Sequence, residues 1–201
     1  MPTRASVINS ALRLLGEPES PGLDESKKYV KRLVNAYEDC VASWFEDHDW
    51  SFASTVTGLS QVLPAEGGWD YTFNVAASCA RILKVRNNTD FEAPSIDYEF
   101  RAGKILTNSE TTYLKYIDRT YYEQTGGWSQ KFADALSAML ADQVYPATNE
   151  NNSTRDRIET VLQKRVVDAK ALDARSDPVY YQPPGRYVSA RTQGVRGGRY
   201  D

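Results

Sequence analysis

Histidine, cysteine and long apolar runs are all scarce in this chain, and each scarcity removes a class of function. The single histidine, His48, lies within Asp47-His48-Asp49. Adjacent residues do not turn their ligating atoms into one tetrahedral site, and no second histidine is available. His48 reads as a polar helix-end or loop residue, which argues against the familiar His-dependent hydrolases and zinc proteases. Two cysteines, Cys40 and Cys79, are too few and too far apart for a disulfide framework or a zinc cluster. Both lie in or near apolar runs and read as small buried hydrophobes. No stretch approaches the roughly 20 apolar residues of a membrane span. The opening MPTRASVINSALRLLGE lacks the apolar core and cleavage pattern of a secretion signal. Synthesis in a reducing cytoplasm is the expectation, so the Asn-x-Ser/Thr matches at Asn87, Asn151 and Asn152 are discounted.

Phosphate-binding loops and Gly-rich dinucleotide fingerprints are missing as well. No cofactor and no metal site are expected. Acidic residues are plentiful, which keeps a two-carboxylate glycosidase as an alternative, with Asp47, Asp49 and Glu66 as candidates by proximity to aromatics. Leu, Ile, Val and Phe make up only about a fifth of the 201 residues, near the level where disorder sets in. The net charge of -3 is small, however, and thirteen Tyr and four Trp supply large apolar bodies with polar handles. That balance suits a folded domain with extensive, wet contacts.

Ile8, Ala11, Leu12 and Leu15 recur at helical spacing, and Gly16 with Pro18 stops the pattern. A second helix runs to about Phe45, capped by Asp24 or Ser26, with the stripe Val30, Leu33, Val34, Tyr37, Cys40, Val41, Trp44 and Phe45. Its charges oppose the helix dipole: Lys27, Lys28, Lys31 and Arg32 crowd the start, while Glu46, Asp47 and Asp49 lie at the end. Each well-placed charge of the wrong sign costs about 0.3–1 kcal/mol. Either solvent screens these ends, or both meet complementary charges on another subunit.

From Trp50 to about Arg119 the period shortens. Tyr71-Phe73-Val75, Ile82-Leu83-Val85, Tyr98 to Phe100, Lys104 to Leu106 and Tyr113 to Ile117 read as strands of one small antiparallel sheet. Arg101-Ala102-Gly103 fits a hairpin connection, with Gly103 free to take a positive φ. Helical spacing returns at Phe132, Leu136, Met139, Leu140 and Val144, and again at Ile158, Val161, Leu162, Val166, Ala169 and Leu172. Ser153 and Asp156 form a candidate capping box for this last helix. The two helices should form an antiparallel hairpin. The fold class is therefore α+β: an antiparallel helical bundle with an inserted small antiparallel β region and an extended C-terminal arm.

The arm, 176–201, has neither period. Three Pro, four Gly, four Arg and four Tyr make it an expected disordered segment in isolation. Tyr180, Tyr181, Arg186, Tyr187, Arg191 and Arg199 are nevertheless residue types that dock strongly when another surface orders them. The arm carries +2 and the rest of the chain -5. That leaves a nucleic-acid-binding module acting through the arm as a further alternative, without a broad basic footprint on the body.

Ile8-Asn9-Ser10-Ala11-Leu12-Arg13-Leu14-Leu15-Gly16-Glu17-Pro18 resembles the start of the tail tubular protein A family of short-tailed bacteriophages, the head-to-tail adaptors. Leu23-Asp24-Glu25-Ser26 leads into the long helix as in that family, and Asp49-Trp50-Ser51-Phe52-Ala53 resembles its Trp-centred signature. Gly68 to Val75 and Cys79 to Val85 look like its paired strands, Arg101 to Thr107 with Tyr113 to Arg119 like its hairpin, and Phe132 to Leu136 like the start of its later helices. The similarity spans roughly 5–175 in order. It departs at Ala76-Ala77-Ser78-Cys79, where the family commonly has a Pro and an Asp.

The resemblance implies an adaptor domain over 1–175 (helical parts 3–48 and 129–175, β region 50–119) and a flexible docking arm over 176–201. It implies a non-enzymatic virion protein in the tail connector, assembled in the host cytoplasm as a ring of twelve copies. One face binds the portal protein, the other meets the tail tube or nozzle, and double-stranded DNA passes through during ejection. Portal docking then falls to Tyr180, Tyr181, Arg186, Tyr187, Arg191 and Arg199. Trp44, Trp50, Phe52 and Trp69 are expected as packing anchors between bundle and sheet. The alternative within the same setting is a virion-associated peptidoglycan hydrolase.

Overall fold

A computed structural model describes residues 1–62, 67–91, 94–145 and 152–176. Among them are four α-helices and seven strands: α1 (Arg4–Leu15), α2 (Lys28–Glu46), β1 (Ser54–Gly58), β2 (Gln61–Val62), β3 (Tyr71–Asn74), β4 (Cys79–Arg86), β5 (Glu99–Arg101), β6 (Lys104–Thr107), β7 (Tyr113–Asp118), α3 (Gln130–Val144) and α4 (Asn152–Ser176). The expected α+β architecture holds: a helical bundle carrying an inserted antiparallel β region.

The helix starts follow local chemistry in two cases and depart from it in two. Thr3 and Ser6 form a reciprocal capping box at α1, and Gly16 closes it with φ +80°, a left-handed conformation that glycine adopts without a Cβ clash. Ser129 caps α3 by accepting from the Phe132 N–H. At α2, neither Asp24 nor Ser26 caps the helix. The N-cap is Lys27, with no side-chain bond, because the Asp24 carboxylate accepts from the Ser26 N–H and shapes the preceding turn instead. At α4, Ser153 is the second residue of the helix, two past the position a capping box requires.

Helix α3 is the hub, contacting α1, α2 and α4. Small residues make this possible: Ala133, Ala135, Ala138 and Ala141 are all buried, so neighbours approach from several sides. Phe132 and Leu136 fill the spaces between them. Helix α4 is attached differently. Only Ile158 and Ala169 of its expected stripe are buried, while Leu172 is 38% exposed. Polar contacts do much of the rest: the Arg165 guanidinium donates to the Asp134 carbonyl and the Ser137 hydroxyl, both at 3.0 Å.

The β region is two sheets where one was expected. Strands β1-β7-β4 form a three-stranded sheet, and β2-β3-β6-β5 a four-stranded one, with all pairings antiparallel. The three-stranded sheet is the middle layer. Ile117, Leu83 and Ala80 join the helical core, whereas Leu114, Tyr116 and Val85 join Ile105 of β6 in a second core. Alternation along β7 explains this, since Leu114 and Tyr116 share one face and Ile117 takes the other. Strands β1 and β2 escaped sequence detection because Ser54-Thr-Val-Thr-Gly and Gln61-Val62 carry too few apolar residues to show a period. The β5–β6 hairpin turns on Ala102 and Gly103, with φ +49° and +76°, the sign pattern of a type I′ turn.

Candidate functional site

The segment Asp49-Trp50-Ser51-Phe52-Ala53 forms the corner between the end of α2 and the β region. Trp50 is buried, and its indole N–H donates 2.9 Å to the Trp44 carbonyl, one of the acceptors that the last turn of α2 leaves unpaired. Trp44 and Trp50 meet at 4.7 Å between ring centroids, and Phe132 lies 4.9 Å from Trp50 and 5.1 Å from Phe52. Three of the four expected aromatic anchors thus converge where the helices meet the corner. Trp69 does not. It lies half-buried on the outer sheet and donates 3.2 Å to Glu99, because the β3–β6 pairing carries it away from the bundle. Phe132, Phe45 and Trp128 complete the aromatic cluster; Phe132 and Phe45 belong to the helical stripes, whereas Trp128 stands outside any period.

The corner is locked by a buried carboxylate. Asp173 of α4 accepts from the Ser51 N–H at 3.0 Å and from the Ser51 hydroxyl at 2.7 Å, and its second oxygen lies 3.1 Å from His48 Nε2. Serine, histidine and aspartate are therefore together, but in the wrong order for a nucleophile. A hydrolytic triad needs the imidazole between serine and carboxylate, ready to take the hydroxyl proton. Here the carboxylate sits between the other two, so Ser51 donates to an acceptor already serving the backbone. The arrangement is a latch between α2, the corner and α4. Its signal was in the sequence: Asp173 stands four residues after Ala169, on the buried face of the helix.

Of the candidate glycosidase carboxylates, the two described ones are each taken up by a different cation. Asp47 pairs with Lys170 at 2.7 Å, Asp49 pairs with Arg81, and Glu66 lies outside the described residues. Arg81 also donates to the Glu46 carbonyl, capping the C-terminal end of α2. Two of the three acidic residues at this end of α2, Asp47 and Asp49, are thus paired within the chain. At the basic end, Lys27, Lys28 and Lys31 are exposed and have no ion pair among the described residues.

Cys40 is buried in the helical core, which pushes its thiol up to about 12, and partial burial raises Cys79 as well. Neither is an activated thiolate. Among the described residues no group of three His, Cys, Asp or Glu could hold a metal, and no helix is long and apolar enough to cross a membrane.

Several depressions open on the surface of the described residues, and two of them bear on binding. An open depression of about 480 Å³ adjoins the latch and includes Trp50, Phe52, Trp128, Leu172 and Ser176, the last residue of α4. A groove of about 460 Å³ crosses α1, α2 and the turn before α3. The six Tyr and Arg residues expected to dock, Tyr180, Tyr181, Arg186, Tyr187, Arg191 and Arg199, all lie outside the described residues. Set against known proteins, the chain matches no family model and no curated sequence.

Proposed function

We propose that this protein is a structural head-to-tail adaptor of a short-tailed phage, assembling as a ring that joins the portal to the tail tube or nozzle and lets DNA pass. The ordered series of family-like motifs from Ile8 to Leu136 carries the reading. Their positions in the fold support it: the first motif spans α1 and its glycine stop, the Trp50 motif is the corner, and Cys79 to Val85 lies in the middle sheet. A ring component needs a rigid body and a partner-seeking extension, and this chain has a latched three-layer body followed by a Tyr- and Arg-bearing arm. The proposal assigns no catalytic residue and no cofactor. It places the protein in the virion connector after assembly in the host cytoplasm, with twelve copies taken from the resemblance alone.

The test is electron microscopy of the full chain mixed with a candidate portal. A closed ring seated on the portal is the expected result. A protein that stays monomeric and unattached across portals of short-tailed phages overturns the reading, and turnover of purified cell-wall material would favour the hydrolase instead.

A further inference from the structure

The groove across α1 and α2 is lined by Arg4, Tyr37, Glu38, Val41, Tyr122 and Glu123. Its walls are aromatic. Tyr122 stacks on Phe45 at 4.4 Å, and the Arg4 guanidinium sits over the Tyr37 ring at 5.0 Å. Tyr37 is 6% exposed, and its hydroxyl is buried with no hydrogen-bond partner. Glu38 and Glu123 are exposed and make no ion pair among the described residues. With Arg4 as the only cation in the lining, the groove carries a charge of -1. Such a slot calls for a ligand that brings one planar apolar group and one or more cations.

We infer that this groove receives the chain's own C-terminal arm, through Arg186 and Tyr187, before any partner captures it. In the docked state the guanidinium of Arg186 would pair with Glu38 and Glu123, and the ring of Tyr187 would cover Tyr122 and Val41. The arm carries +2 and the groove is acidic, so attraction favours the docked state. Ten residues separate Ser176 from Arg186, a reach of about 33 Å when extended. That is roughly the diameter of a domain of this size. The arm's other Arg-Tyr pair, Arg199-Tyr200, is followed by Asp201 and the terminal carboxylate, which Glu38 and Glu123 repel. The inference does not depend on the adaptor reading; any protein with this groove and this arm would make the contact.

Limited trypsin digestion of the full chain tests it, because cleavage after Arg186 reports docking while cleavage after Arg196 serves as an internal standard. The double variant Glu38→Gln/Glu123→Gln should be cut after Arg186 about fivefold faster than the parent, with no change after Arg196. High salt should do the same to the parent chain, and so should Tyr187→Ser. Both glutamates are exposed, so the substitutions leave the core intact, and thermal melting verifies it. Equal cleavage rates in parent and variants overturn the inference. Protection that grows with protein concentration also overturns it, since the arm would then be docking on a second copy.

Discussion

Asp173 and Ser51, separated by 122 residues in sequence, are joined twice: the carboxylate accepts from both the backbone N–H and the hydroxyl of the serine. This contact ties the end of the exposed helix α4 to the Trp50 corner. Helix α4 buries few apolar residues, so its position depends on such polar contacts more than that of α1, α2 or α3. Asp173→Ala should therefore destabilise by about 1–3 kcal/mol, because it strands half-buried donors and loses several bonds at once. Asp173→Asn keeps an acceptor and should lose about half as much. Urea unfolding distinguishes them; equal midpoints for the alanine variant and the parent would refute the latch.

Trp44 and Trp50 are both buried and in contact, yet only one indole N–H is used. Trp50 donates to the Trp44 carbonyl, whereas the Trp44 Nε1 has no partner. Replacing Trp50 by Phe should cost about 1 kcal/mol more than replacing Trp44 by Phe, since it alone abandons a buried carbonyl. Matched urea titrations of the two variants provide the comparison.

Ala102 occupies a left-handed position, with φ +49°, in the β5–β6 turn. An L-residue there is strained by about 1 kcal/mol, and glycine relieves most of it despite its greater freedom in the unfolded chain. Ala102→Gly should raise stability by a few tenths to about 1 kcal/mol. Gly103→Ala, at φ +76° with open space around the added Cβ, should lower it through backbone strain alone. Thermal melts of the pair have opposite expected signs.

Burial pushes the Cys40 thiol from an ordinary 9.0 to about 12. Burial likewise moves Tyr37 from 10.0 to about 12, with Arg4 pulling the other way. Both groups stay protonated in the folded state while the unfolded chain ionises earlier. Their contribution is thus complete below about pH 9 and is lost as pH rises toward 12, with a slope of up to about 1.4 kcal/mol per pH unit for each group. Unfolding midpoints at pH 8, 9.5 and 11 should fall in that order. Cys40→Ala should flatten the part that begins near pH 9, and Tyr37→Phe the part that begins near pH 10.

Removal of 177–201 should leave the unfolding transition of the body nearly unchanged, because every helix and strand described ends by Ser176. If the protein acts as the proposed adaptor, the same truncation should abolish its attachment to a portal in a pull-down. Undiminished attachment would remove the docking role from Tyr180, Tyr181, Arg186, Tyr187, Arg191 and Arg199.

Periodic burial was readable where an element buries one clear face. Val30, Leu33, Tyr37, Cys40, Val41, Trp44 and Phe45 announce α2, and each is buried. Leu172 was misread because the last turns of α4 turn Asp173 toward the corner, where its carboxylate meets Ser51, and the buried position there belongs to Asp173. Trp69 was misplaced for a related reason: an aromatic residue declares that it wants cover, not which layer provides it.

Local order, then, was decided by the sequence: helix and strand periods, the Thr3 and Gly16 boundaries of α1, and the punctuated hairpin at Gly103. These depend on contacts within a few residues, whose geometry backbone sterics set. The division of the β region into two sheets, the Asp173 latch, the use of one tryptophan N–H and not the other, and the meeting of Glu38 with Glu123 in one groove depended on the tertiary structure. Each joins residues tens of positions apart, and which distant groups meet is determined by how the layers pack, a property that no local pattern carries.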